Sequence, residues 1–291
     1  MKPSPFKYHD PHSKREALSL LAANENALVL AGGQSLMPML NFRAVAPEHL
    51  VDLNRVPELA GIRCTDGLLT IGAMTRQCDI EASAVVSGTL PLLQAALAHV
   101  GHWQTRNRGT FGGSLCHLDP SAELVTAAMA LDATLVAESQ GAARRIPISA
   151  WCKGYLTNAL ARGEVLCEIE LPVWPPGHGY AFVEYARRRG DFAIVGVAAL
   201  MALDSSGAIT RAAIAVGGCA ASPQRLTRAE SALLGQKPEP ALFKDVAWLA
   251  AALETMSDAY VPADYRAHIA PVLTERALNE AAARAVKGIA A

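Results

Sequence analysis

Along the first third of the chain the spacing of apolar positions changes several times, and each change predicts an element. Ala17, Leu18, Leu20 and Leu21 recur at helical spacing between Ser13 and Asn24, with Ser13 placed to cap a helix. The unbroken apolar run Ala27-Leu28-Val29-Leu30 then reads as a short buried strand that empties into a glycine-rich loop. Beyond Pro38 the chain is polar and broken by proline up to Val51-Asp52-Leu53, read as a strand, and a first unit ends near Pro57. Leu59 to Ile71 carries a hairpin signal at Thr65-Asp66-Gly67. Pro91 to Gly101, rich in Ala and Leu, predicts a helix closed by Gly101. Asp119-Pro120-Ser121-Ala122-Glu123 reads as the start of another, with Asp119 as cap, Pro120 in the first turn and Glu123 favourable to the dipole; Leu124 to Leu131 continue it. Ala133 to Glu138 and Ala143 to Ile148 are strands across a turn at Gly141, and Glu164 to Leu171 is a further strand.

Pro172-Val173-Trp174-Pro175-Pro176-Gly177 forbids both helix and sheet interior and reads as a linker. After it the pattern becomes antiparallel: Tyr180 to Arg188, Ala193 to Leu203, a turn at Asp204-Ser205-Ser206-Gly207, then Ile209 to Val216. Leu242 to Met256 and Ile269 to Val286 follow with helical spacing. The expected division is residues 1–176, in lobes of about 1–57 and 58–176, and residues 177–291.

Composition removes several function classes. A chain of 291 residues buries a sizeable core, and 26 basic against 27 acidic residues leave a net charge of −1, with no basic field to attract nucleic acid or an anionic membrane. The amino-terminal residues hold no apolar run of signal-peptide length, and the longest uncharged apolar stretch, Phe192 to Leu203, is shorter than a membrane span, so we expect a cytoplasmic protein. Cys64, Cys78, Cys116, Cys152, Cys167 and Cys219 form no CxxC pair and read as buried free thiols. His99 and His102 lack an evident third ligand, so no metal is expected in this chain.

Two stretches carry the chemistry: Ala31-Gly32-Gly33-Gln34-Ser35-Leu36-Met37-Pro38 and Gly109-Thr110-Phe111-Gly112-Gly113-Ser114. A phosphate oxygen is best held by several backbone N–H groups, and glycine both clears their approach and permits positive φ. Gln34, Ser35, Thr110 and Ser114 add uncharged donors. Two such loops suit the diphosphate of a dinucleotide; the competing reading is that the glycines merely make turns.

The segments AGGQSLMPML at 31–40, RNRGTFGGSLCHLDPSAE at 106–123, GEVLCEIELP at 163–172 and RRRGDFAIVGVAA at 187–199 resemble, in order and spacing, the FAD-binding medium subunit of molybdenum hydroxylases. This is the family of the carbon monoxide dehydrogenase medium subunit and the flavin domain of xanthine dehydrogenase. The resemblance implies an α+β protein: a two-lobed FAD-binding domain of the vanillyl-alcohol-oxidase-like type, then a domain with a three-stranded antiparallel sheet and helices. It implies that Leu30, Ala31, Gly32, Gly33, Gln34, Ser35, Leu36 and Met37 wrap the FAD diphosphate from one lobe, and Thr110, Phe111, Gly112, Gly113 and Ser114 from the other. Glu123 matches an acidic position beside the cofactor, His117 a polar approach to it, Leu166 a residue against the flavin, and Asp191 a loop near the ring system. The family often has Asn where Ser114 stands, so the phosphate oxygen reached there is altered.

The resemblance further implies partners: a large molybdenum-pterin subunit and a small subunit with two [2Fe–2S] clusters, assembled as a dimer of heterotrimers. FAD here would collect electrons and pass them to NAD⁺, oxygen, a quinone or another carrier. No nucleophile elbow, metal cluster or iron–sulfur cysteine set is visible, so no catalytic residue of organic oxidation is assigned to this chain. Benzoyl-coenzyme-A-reducing relatives with an extra iron–sulfur site are disfavoured for the same reason. Arg187-Arg188-Arg189 is either a nucleotide- or partner-docking patch or solvated surface, and Cys116 is read as filler. The rival readings are a self-contained flavin oxidoreductase, which would turn over alone, and a non-catalytic assembly subunit, which would not bind FAD.

Overall fold

The computed structural model describes residues 2–290. Its first sheet is small and wholly parallel: β1 (Lys7–His9), β2 (Ala27–Leu30) and β3 (His49–Asp52) lie in the order β1-β3-β2. The crossover between β1 and β2 is α1 (Lys14–Ala23), capped as expected by the Ser13 hydroxyl, which accepts from the Glu16 N–H at 3.2 Å. Ala17, Leu18 and Leu21 bury one face of α1 against Val51, Leu53, Val56 and Leu59, and against Val165 and Cys167 from far along the chain. The short α2 (Leu36–Asn41) follows the first glycine loop.

The second sheet is antiparallel. The Asp66-Gly67 turn joins β4 (Ile62–Thr65) to β5 (Leu68–Gly72), with positive φ at both residues, as a two-residue hairpin of this twist requires. With β6 (Thr134–Ser139), β7 (Ala142–Pro147) and, after the small ribbon of β8 (Cys152–Gly154) and β9 (Thr157–Asn158), β10 (Val165–Pro172), the order is β4-β5-β10-β6-β7. Pro172 ends β10 opposite Leu68, so the last strand takes in the first proline of the expected linker.

Between β5 and β6 run α3 (Gln77–Ala82), α4 (Ala84–Thr89), α5 (Leu92–Leu97), α6 (Trp103–Arg108), α7 (Phe111–His117) and α8 (Glu123–Ala130); α9 (Ile148–Trp151) follows β7. The helix expected over Pro91 to Gly101 is regular only through Leu97. α8 begins three residues later than the sequence suggests, with Ala122 rather than Asp119 at the cap. Leu118 adopts a left-handed φ of 57° that interrupts the helix, and the Asp119 carboxylate accepts from Ser121 N–H at 2.8 Å instead of capping α8.

The remaining strands, β11 (Gly179–Tyr185), β12 (Val195–Leu203) and β13 (Ile209–Gly217), form the expected antiparallel sheet, extended by the two residues of β14 (Gln224–Arg225). Its two faces lie in different cores. Ala181, Val195, Val197 and Val216 pack with α10 (Thr227–Leu233), α11 (Pro240–Ala247) and α12 (Ala263–Ala290). Phe182, Ala198, Leu200, Ala213 and Ala215 join the core of the second sheet and its helices. The expected helix over Leu242 to Met256 is α11 plus a 3-10 turn through Ala252, and the last helix starts six residues before Ile269. Among the described residues no helix is long and apolar enough to cross a membrane.

Candidate functional site

The parallel pair β2–β3 delivers the first glycine loop beside Asp52, whose backbone is opposite Leu30. Asp52 is held by Tyr8, whose hydroxyl donates to it at 2.7 Å, and accepts from Asn54 N–H at 2.9 Å. Asn54 then donates through its side-chain amide to Ala31 O at 2.9 Å. Gly33 takes φ +75°, and Met37 N–H donates to Gly33 O at 3.1 Å, closing the turn into α2. Among the described residues, no group accepts from the N–H of Gly33, Gln34, Ser35 or Leu36. Four successive free donors at a glycine turn form a concavity suited to an anion.

The second loop is stitched to the start of α3. Gly112 N–H donates to Ala73 O at 2.8 Å, Phe111 N–H to Thr75 O at 3.1 Å, and Gln77 N–H to Gly109 O at 2.9 Å. Thr110 caps α7 by accepting from Gly113 N–H at 3.0 Å.

The two loops touch. A Cβ on Gly32 would lie 2.3 Å from Arg108 O and 2.8 Å from Gly109 Cα, and one on Gly113 would lie 3.5 Å from Ala31 Cβ. Arg76 rivets them, donating to both Asn54 Oδ1 and Arg108 O. Asn54 and Arg76 were invisible to the sequence reading. Their value comes from meeting partners 22 and 32 residues away.

The expected site residues divide by environment. Leu30, Ala31, Gly32, Gly33, Gln34, Ser35 and Leu36 come together with Thr110, Gly113 and Ser114 at this junction, while Met37 is exposed one turn on. Phe111 is fully buried in the core, and a Cβ on Gly112 would meet Ala73 Cβ at 2.5 Å, so these two residues pack α7 against β5. Leu166 is buried in the same core at a bulge in β10. His117 is half-buried in the last turn of α7. Asp191 lies in the loop between β11 and β12, which approaches α6 rather than the glycines: a Cβ on Gly190 would meet His102 at 2.9 Å. In that loop Arg187 stacks over Tyr260 at 4.7 Å, and Arg188 and Arg189 are exposed.

Glu123, first residue of α8, is only 8% exposed, and among the described residues no other residue hydrogen-bonds its carboxyl. Burial pushes its pKa up to about 7, the charge of Asp119 adds to this, and its own backbone N–H opposes it. Glu184 on β11, also missed in the sequence, is raised to about 8 by burial and then by Glu123. An unfolded Glu ionises near 4.5, so between that value and 7–8 the folded chain holds protons that the unfolded chain has released. These groups favour the fold at low pH, and their contribution is lost as pH rises through the folded values. The melting temperature of the FAD-free chain should therefore fall from pH 5 to 8, and Glu123→Gln should flatten the fall. Parallel wild-type and variant curves in differential scanning fluorimetry would refute this.

Among the described residues, no group of three or more His, Cys, Asp or Glu side chains is placed to hold a metal. The junction instead fits an extended cofactor with an anionic centre: the free N–H row supplies donors, and the Ser35 and Ser114 hydroxyls stand beside it with no protein partner among the described residues.

Comparison with known proteins bears on this geometry. Residues 4–174 match a family model described as the FAD binding domain in molybdopterin dehydrogenase, and residues 180–281 match the CO dehydrogenase flavoprotein C-terminal domain. The chain is 41% identical to the alpha subunit of the 6-hydroxypseudooxynicotine dehydrogenase complex of Paenarthrobacter nicotinovorans, covering 98% of this chain and 97% of the relative. It is 38% identical to caffeine dehydrogenase subunit beta of Pseudomonas sp. (strain CBB1), covering 98% of each. A chain of the carbon monoxide dehydrogenase structure from Hydrogenophaga pseudoflava superimposes with a TM-score of 0.94 at 38% identity, over 98% of this chain and 99% of that one.

Proposed function

Because this chain belongs to the FAD-binding medium subunits of the molybdenum hydroxylases, we propose that it carries electrons within such a complex, from the [2Fe–2S] clusters of a small subunit to an external acceptor. It is the flavoprotein subunit of an oxidoreductase, and its cofactor is FAD. A large molybdenum-pterin subunit acts on the organic substrate, and the assembly is a dimer of heterotrimers. The division into residues 1–176, with lobes of about 1–57 and 58–176, and 177–291 belongs to the same reading.

The observation that carries the proposal is the close approach of the Gly32 turn to Arg108 and Gly109, which sets the free N–H row of the first loop beside the start of α7. The N–H groups of Gly33 to Leu36 and the hydroxyls of Ser35 and Ser114 hold the diphosphate, while Thr110 keeps its loop closed by capping α7. His117, Glu123, Leu166 and Asp191 border the rest of the cofactor. Bound FAD supplies the exchange between one- and two-electron carriers, and the protein's part is to bind, orient and shield it. Relatives named for a nicotine derivative, caffeine and carbon monoxide match this chain over 98% of its length. That breadth supports placing substrate choice in the large subunit.

Titration of the cofactor-stripped chain should give saturable FAD binding and FMN binding weaker by about tenfold or more, since FMN lacks the adenylate half and offers one phosphate to a two-loop site. Equal affinities for FMN and FAD would refute the two-loop diphosphate assignment.

A further inference from the structure

We propose that the segment from Pro172 to His178 is a pH-gated joint between the second sheet and the carboxyl-terminal sheet, closed while the His178 ring is neutral and loosened when that ring takes up a proton. The segment is tied to a different layer at each end. Val173 N–H donates to Gly67 O at 2.8 Å, in the turn between β4 and β5. Gly177 lies backbone to backbone on α12, where its Cβ would meet Gly288 O at 3.0 Å. Between these ties Trp174 is 2% exposed, in the core that both sheets share. Pro172, Pro175 and Pro176 fix their own φ angles, so the freedom of the segment is concentrated at Gly177, which takes φ +78° immediately before His178.

His178 closes the joint from inside. Pro175 O accepts from the His178 backbone N–H at 3.1 Å and faces ring Nδ1 at 2.9 Å. A carbonyl can only accept, so Nδ1 carries the hydrogen and the neutral ring leaves Nε2 as an acceptor. Among the described residues Nε2 is buried without a partner, and so is the donor Trp174 Nε1. The two rings are neighbours, with centroids 5.9 Å apart, and Tyr180 flanks the imidazole at 6.4 Å. Protonation turns Nε2 into a second donor, so two adjacent buried rings then hold N–H groups with no acceptor, and it sets a cation near Arg211, whose guanidinium lies 4.0 Å over the Trp174 ring. The surroundings offer no anion in compensation. Arg211 of β13 reaches Asp132 at 3.7 Å, and Arg284 of α12 lies over the Tyr180 ring and pairs with Glu280 at 3.5 Å. His99 of α5 stands against Phe182, its own charged form disfavoured by burial, and the acid of the β4–β5 turn, Asp66, precedes the Gly67 tie. Burial lowers the pKa of His178, the Pro175 bond opposes this, and Arg211 adds to it, leaving the value below the ordinary 6.5. Below 6.5 the unfolded chain therefore binds a proton that the closed joint refuses, so closure is complete above that value and is lost as pH falls beneath it. The sign is opposite to that of Glu123 and Glu184, so a readout confined to the joint is needed rather than a melting temperature.

The test follows the indole N–H resonances of the full-length chain by NMR from pH 8 to pH 5, with Trp174 assigned from the signal missing in Trp174→Phe. The Trp174 resonance should shift, and its exchange with solvent should quicken by about tenfold or more, as pH falls through a midpoint below that of a free imidazole. Trp151, whose indole donates to Leu115 O at 2.8 Å, should stay constant, and His178→Gln should hold Trp174 constant as well. If Trp174→Phe does not fold, replacing the exposed Trp103 and Trp248 by Phe leaves the two buried indoles, of which one alone should respond. If His178→Gln does not fold, His178→Asn takes its place. A Trp174 resonance that is unchanged from pH 8 to pH 5, or that responds equally when His178 has been replaced, overturns the joint.

Discussion

Gly32→Ala is expected to weaken FAD binding by about 10- to 100-fold while leaving the circular dichroism spectrum of the chain unchanged. The added Cβ would lie 2.3 Å from Arg108 O and 2.8 Å from Gly109 Cα, both backbone atoms that cannot swing aside. Overpacking of this kind costs about 1–3 kcal/mol, and the strain is relieved most directly by parting the two loops. Parted loops no longer direct their donors at the same anion, so the loss falls on cofactor affinity rather than on the distant cores. Gly88→Ala is the matched control. Gly88 lies in α4 with open space around its would-be Cβ and no positive φ, so alanine there should be neutral or slightly stabilising and should leave FAD affinity at the wild-type value. Isothermal titration that found Gly32→Ala and Gly88→Ala equally tight would show that the loop contact is immaterial to binding.

Arg76→Ala should produce the second large effect. The guanidinium is partly desolvated, and that burial, together with Arg108, lowers its pKa below the usual arginine value without discharging it. It donates to Asn54 Oδ1 on one side and Arg108 O on the other, and Asn54 in turn holds Ala31 O. Removing it leaves two acceptors without their charged donor, at about 1–3 kcal/mol, and frees the first loop from the second. FAD affinity should fall by about tenfold or more and the melting temperature by a few degrees. Arg76→Lys, with one ammonium in place of a fork, should reach a single partner and recover part of the affinity. A double-mutant cycle with Asn54→Ala should be strongly non-additive. Additive losses would mean that Arg76 and Asn54 act separately and that the bridge between the loops carries no binding energy.

What could be read from the sequence follows the range of the physics involved. The Ser13 cap, the Asp66-Gly67 hairpin and the long strands after the proline-rich segment depend on neighbours a few residues away, and these were legible. The start of α8 was misplaced because Asp119-Pro120 is also an excellent turn, and the left-handed Leu118 before it is invisible to a pattern of apolar spacing. The glycines of the two loops were legible as a group but not in their division of labour. Gly33 supplies a positive φ, Gly32 admits the opposite loop, and Gly112 admits β5. Arg76 had no local signal, since its partners arrive only through the fold. Glu184 did have one: a charged residue at the inward phase of a strand whose other inward positions are Tyr180 and Phe182 breaks the local pattern.

The core shared between Leu69–Trp174 and Phe182–Ala215 bears on how the protein is made. Translation is vectorial, so α5 and α8 leave the ribosome before the strands that cover them, and at about 5–20 residues per second the stretch from Trp174 to Ala215 takes a few seconds to follow. During that interval the nascent chain presents a large apolar face that has no permanent cover. The carboxyl-terminal sheet is thus the piece for which the growing polypeptide waits. Messages truncated between codons 180 and 215 should yield products that engage chaperones and proteases rather than a smaller flavoprotein.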